Sequence, residues 1–166
     1  MATEDNLKEA FAGESQANRR YLAFAKKADA EGHPGIARLF RAAAAAETVH
    51  AHAHLRVLGE VKSTAENLKA AVEGESYEFK TMYPDFAKEA QAEQNNAALV
   101  SIQNAMAVEQ VHAGLFGDAA KALAEGKDMP DQTIYVCSVC GNTIIGDAPD
   151  TCPVCGAGKD RFGPVE

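Results

Sequence analysis

Glu47-Thr48-Val49-His50 and Glu109-Gln110-Val111-His112 stand 62 residues apart in this chain. A carboxylate and an imidazole three residues apart share one face of a helix, so each pair can point at one metal ion. The surroundings repeat as well. Phe24-Ala25-Lys26-Lys27-Ala28 matches Phe86-Ala87-Lys88-Glu89-Ala90, and Tyr21 matches Tyr83. Such self-similarity is the mark of a duplicated helical hairpin. Gly13-Glu14-Ser15 recurs as Gly74-Glu75-Ser76 at an offset of 61, so the second copy carries one extra residue between Glu75 and Tyr83. A single-turn π-bulge absorbs one residue, and Pro84 removes a backbone donor nearby. A π-type turn is therefore expected between Glu75 and Pro84.

The helices can be bounded from the same text. Thr3, followed by Glu4 and Asp5, reads as the N-cap of a helix running to about Glu31, which Gly32-His33-Pro34-Gly35 stops. A second helix runs from Ile36 to Gly59 and carries the first Glu-x-x-His. Ser63-Thr64-Ala65-Glu66 is a capping box for a third, extending past Pro84 to about Glu93. Asn95 or Asn96 caps a fourth that reaches about Ala124. Glu125 to Asp131 is a polar linker, beyond which short apolar runs, Ile134 to Val136 and Ile144-Ile145, sit among Gly, Pro and Asp. The expected division is a helical domain over 1–126 and a small domain over 132–166.

A net charge of −8 argues against partners bound through a basic surface, so neither nucleic acid nor membrane is an expected partner. No apolar run approaches the ~20 residues of a membrane span, and the start Met1-Ala2-Thr3-Glu4-Asp5 has no basic stretch leading into an apolar one. The cytoplasm is the expected compartment. All four cysteines lie between Cys137 and Cys155, which in a reducing compartment points to metal binding.

Glu14 and Tyr21 share a helix face, as do Glu75 and Glu78, so each of four helices can aim carboxylates inward. A single helical Glu is ordinarily a solvated one, because Glu is almost never buried unpaired. Five of them with His50 and His112 are another matter. One Glu from each of two helices plus Glu-x-x-His from the other two is the known ligand pattern of ferritin-like di-iron and di-manganese bundles, which this chain matches. Carboxylates gathered in a core need cations, and oxygen ligands with imidazole suit iron or manganese. His54 shares the face of Glu47 and His50 and can support them or simply sit near the bundle end, whereas His33 and His52 read as solvated. Tyr21 and Tyr83 can serve ligand carboxylates and protons, or can be core residues. The run Ala42 to Ala46 is a good helix former whose small side chains would let helices close around metals.

Over nearly its whole length the chain resembles the rubrerythrins, through Gly13-Glu14-Ser15-Gln16-Ala17, Ala46-Glu47-Thr48-Val49-His50, Gly74-Glu75-Ser76-Tyr77-Glu78, Met82-Tyr83-Pro84 and Glu109 to His112. Tyr135-Val136-Cys137-Ser138-Val139-Cys140-Gly141 and Cys152-Pro153-Val154-Cys155-Gly156, with Phe162 behind them, resemble that family's rubredoxin-like iron knuckles. Two Cys-x-x-Cys pairs indicate a tetrahedral thiolate site, and spacing alone does not separate iron from zinc in a structural ribbon.

The resemblance implies a ferritin-like four-helix bundle with a small C-terminal rubredoxin-like domain. It implies two non-haem irons in the bundle and one iron on Cys137, Cys140, Cys152 and Cys155, with zinc or manganese as substitutes. The implied activity is reduction of hydrogen peroxide to water. Electrons would come from a rubredoxin or an NAD(P)H-dependent reductase, since the chain has no nucleotide-binding motif. A ferroxidase or iron-handling role, and a non-catalytic electron carrier or redox sensor, are the other readings. Glu78 has no counterpart in the first copy, where Ala17 takes its place. Four carboxylates balance two ferrous ions, and two ferric ions favour a fifth. Iron near His50 is thus expected to exchange His50 for Glu78 on oxidation, a switch the resemblance also implies, with Glu47 and Glu109 bridging, Glu14 on that iron, and Glu75 with His112 on the other. The second and third helices of such a bundle run parallel, but residues 59–63 extend only about 18 Å against about 35 Å of helix. The expected assembly is a homodimer that exchanges helical hairpins; a simple up-down-up-down bundle is the alternative.

Overall fold

Alanine builds the first hairpin. The computed structural model describes residues 2–165 and contains α1 (Ala2–Ala30) and α2 (Pro34–Leu58) in a compact unit that ends at Lys62. The buried residues of α2 are Ala37, Ala44 and Ala51, seven apart, and Ala37 packs with Ala25 and Ala28 of α1. A seven-residue repeat holds one seam facing its partner, and methyl side chains there let two backbones approach closely. Asn18 of α1 uses the closeness, donating to the carbonyl of Ala44 at 2.7 Å and to Thr48 Oγ1 at 2.9 Å. Asp29 accepts from Arg41 at 2.7 Å, so contacts run in opposite directions along the two helices and the hairpin is antiparallel. Thr3 lies inside α1, not at its cap, because the helix extends back through Ala2, the best helix-forming residue. α2 opens at Pro34, two residues earlier than expected, since proline at a first helical position gives up an N–H that had no partner there.

The second unit begins at Ser63. Its first helix, α3 (Thr64–Tyr77), opens on the expected capping box between Ser63 and Glu66. A π-turn follows over Glu78–Met82, then α4 (Tyr83–Ala92) and, antiparallel after a short turn, α5 (Asn96–Ala124), capped by Asn95. The Tyr83 N–H reaches back five residues to the Glu78 carbonyl, the bond that accommodates one extra residue. The duplication extends to the turns. His33 N–H bonds the Ala28 carbonyl at 2.8 Å, and Asn95 N–H bonds that of Ala90, 62 residues on, at 2.9 Å. The left-handed residue between them is Gly32 at φ +80° in one copy and Gln94 at φ +56° in the other.

Beyond the linker, β1 (Ile134–Cys137) is flanked by β2 (Thr143–Ile145) and β3 (Phe162–Val165) in an antiparallel sheet of order β2-β1-β3. β3 was not expected, because Gly163 and Pro164 hide it; as an edge strand it tolerates a proline without an N–H. Cys137, Ala148, Cys152 and Phe162 form the small core here, packed by Tyr135, Ile144 and Val154. No helix among the described residues is long and apolar enough to cross a membrane.

Candidate metal centre

Glu14 on α1 and Glu47 and His50 on α2 bring their donor atoms within 4.8 Å of one another, and Glu75 on α3 with Glu109 and His112 on α5 do the same. The two trios repeat each other almost atom for atom. His50 Nδ1 lies 2.9 Å from Glu47 Oε2 and 3.9 Å from Glu14 Oε1. His112 Nδ1 lies 2.8 Å from Glu109 Oε2 and 3.9 Å from Glu75 Oε1. In each, the carboxylate from the neighbouring helix meets an i, i+3 pair, as the spacing implied. They differ in cover: the His50 side chain is 55% exposed and that of His112 is 26%.

Glu78 is not in the second cluster. It opens the π-turn, half-buried. Burial, and then the Glu109 charge, push its carboxyl above the usual range. Burial and Glu109 likewise raise Glu75, which shares a hydrogen bond with Glu109. Carboxylates that resist ionising together are groups short of a cation. Burial, followed by the charges of Glu78, Glu109 and Glu75, raises the Tyr83 phenol, so Tyr83 faces the carboxylates. Its counterpart Tyr21 stacks with Phe24 and Phe40, at centroid distances of 6.3 and 6.1 Å. His33 and His52 are exposed, as expected, and His54 is half-buried.

The four cysteines also cluster. Cys137 and Cys155 Sγ atoms are 3.8 Å apart, and those of Cys140 and Cys152 are 3.6 Å apart. A tetrahedral metal with bonds of about 2.3 Å to sulfur separates its ligands by about 3.8 Å, so the residues fit such an ion without rearrangement. Two equivalent turns produce this. Gly141 N–H bonds the Cys137 carbonyl at 2.8 Å and Gly156 N–H bonds that of Cys152 at 2.9 Å, with both glycines left-handed at φ +87° and +74°. Only glycine takes that conformation freely, and it turns the following N–H, of Asn142 or Ala157, onto the sulfur of Cys140 or Cys155. Burial pushes the Cys140 thiol up to about 12 against the Asn142 bond. Cys152 also feels burial, but N–H groups of Cys155 and Val154 bring it down to about 7, where the thiolate is readily available to a metal.

One contact had no sequence signal: His112 Nε2 lies 2.9 Å from Thr143 Oγ1 on β2. The chain thus carries candidates for a diiron carboxylate–histidine site and for a four-cysteine rubredoxin-like site.

Comparison with known proteins agrees. The rubrerythrin family model matches residues 5–120, and that of the rubrerythrin rubredoxin-like domain matches 135–163. Rubrerythrin-2 of Clostridium acetobutylicum is 36% identical, over 96% of this chain and 95% of that relative. Nigerythrin of Nitratidesulfovibrio vulgaris is also 36% identical, over 97% of this chain and 85% of the relative. A solved structure of nigerythrin in its fully reduced, all-ferrous state superposes with a TM-score of 0.59 at 35% identity, covering 98% of this chain and 86% of that one.

Proposed function

The chain belongs to the rubrerythrin family, and from that premise we propose that it is a peroxidase, carrying out H2O2 + 2 H+ + 2 e− → 2 H2O. The observation that carries the reading is the pairing, in one chain, of two equivalent Glu/Glu/His trios with a four-thiol cluster. When bound, two irons supply the electron pair and the four-cysteine iron restores it one electron at a time. Glu14 with His50 would hold one iron, Glu75 with His112 the other, and Glu47 and Glu109 would bridge. Glu78, outside the cluster but within the field of Glu109, would replace His50 when the irons are oxidised. The Tyr83 phenol, raised above its ordinary value by burial and the neighbouring carboxylates, keeps its proton beside the site and can pass it to a departing oxygen, while burial and Glu109 make Glu78 easier to protonate. Tyr21 would play the matching part in the first hairpin.

The functional division would be 1–126 for the diiron bundle and 132–166 for the relay, in a protein of the cytoplasm, where four unpaired thiols stay reduced. The electron donor would be a rubredoxin or an NAD(P)H-dependent reductase. Assembly would be a homodimer with exchanged hairpins. Supporting this, residues 59–63 span at most about 18 Å while α2 is about 37 Å long. The test is anaerobic turnover with a reductase system. One peroxide consumed per two electrons at steady state is expected; ferrous oxidation that ends in stored mineral, without peroxide turnover, would make the protein an iron-handling one.

A further inference from the structure

We propose that Thr143 is a positioning residue for the metal centre: its hydroxyl holds His112 from behind and makes it a fixed nitrogen ligand. The proposal rests on the two-metal reading above and adds a residue from outside the helices.

The hydrogen bonds form a directed chain. Thr143 Oγ1 lies 3.2 Å from the carbonyl oxygen of Gly141, which can only accept, so the hydroxyl hydrogen goes there. The hydroxyl then offers His112 a lone pair, and at 2.9 Å the bond requires Nε2 to carry the imidazole hydrogen. Nδ1 is left with its lone pair directed at Glu109 and Glu75, where a cation would sit. Fixing one ring nitrogen as a donor fixes the tautomer and orientation of the other as a ligand. The far end of the chain is firm. Gly141 closes the Cys137-to-Cys140 turn through its own N–H, so a metal on the cysteines stiffens the carbonyl that anchors Thr143.

The first copy lacks this device. His50 presents Nδ1 to Glu47 and Glu14 at nearly the same distances, but its Nε2 makes no hydrogen bond among the described residues, and the ring is more than half exposed. Duplication made two equal histidines; the small domain retains one of them.

The test compares Thr143→Val, nearly the same shape without the hydroxyl, with Thr143→Ser, which keeps it. Metal-free protein is titrated anaerobically with ferrous iron against a competing chelator. Loss of such a supporting partner typically weakens a metal site about 10–100-fold. Thr143→Val should therefore weaken one of the two bundle metals by about that factor with the four-cysteine metal unchanged, and Thr143→Ser should restore it. In zinc-loaded protein, 15N-edited spectra should show a slowly exchanging His112 Nε2 proton in the wild type and the Ser variant and none in the Val variant. Equal affinities in wild type and Val variant, equal weakening by Val and Ser, or no such proton in the wild type would each overturn the proposal. Should Thr143→Val disturb folding, the wild-type and Ser spectra still decide. None of these readouts depends on peroxide turnover, so failure of the peroxidase reading and failure of this one are separable.

Discussion

Glu78 illustrates how one side chain can be costly alone and useful with metal. Its folded pKa is raised from 4.5, by burial first and then by Glu109. An acid with a raised folded pKa contributes stability that is fully present below the unfolded value and is lost as pH climbs through the folded one. Metal-free protein should thus lose thermal stability from about pH 4.5 towards neutrality, and Glu78→Gln should flatten that fall, as read by calorimetry of the two apoproteins. An unchanged pH profile in the variant would remove Glu78 as a cause. Cys152 allows a cleaner dissection. Cys152→Ser should abolish turnover from an external donor yet leave a single peroxide-driven oxidation of prereduced bundle iron; surviving steady-state turnover would sink the relay. Six candidate bundle ligands and all four cysteines could be named from helical and knuckle spacing; that spacing is local within each Glu-x-x-His pair, while Glu14 and Glu75 join their trios across a hairpin, and the structure gathers both trios and the thiols. Thr143 was illegible, since its partner is 31 residues away and only tertiary packing brings it to His112.

At the level of elements, the repeat offset foretold the π-turn, because a one-residue insertion in a helix that keeps its register has few other outlets. The capping box at Ser63 was equally local. The alanine seam was read only in part. Of the run Ala42 to Ala46, Ala44 alone is buried, and its role comes from its place between Ala37 and Ala51. Ala44→Leu should force α1 and α2 apart, strain the Asn18 bonds and destabilise the hairpin by about 1–3 kcal/mol, the usual effect of overpacking, measurable by chemical denaturation. A neutral effect would mean the seam is looser than it looks. Gln94 has no such signal, since a non-glycine residue at positive φ is legible only as the partner of Gly32 in the other repeat.

For the whole molecule, what the two helical hairpins bury among their described residues is alanine and Val108, while Leu39, Val49 and Val57 on the first and Tyr77, Phe86 and Val100 on the second remain exposed. A hairpin with its large apolar residues outside has yet to find its core, which fits the short reach of residues 59–63. Co-refolding a Glu47→Ala chain with a Glu109→Ala chain tests exchange: the heterodimer should hold one intact and one doubly damaged site, so activity should partly return. No recovery in a confirmed heterodimer would favour the unexchanged bundle. The divided trios have a further consequence. If a complete site takes one trio from each of two chains, its abundance in dilute solution grows as the square of the chain's concentration. A cell that doubles synthesis of a scarce chain would then gain fourfold in working centres, and gene dosage would set the sharpness of the response to peroxide.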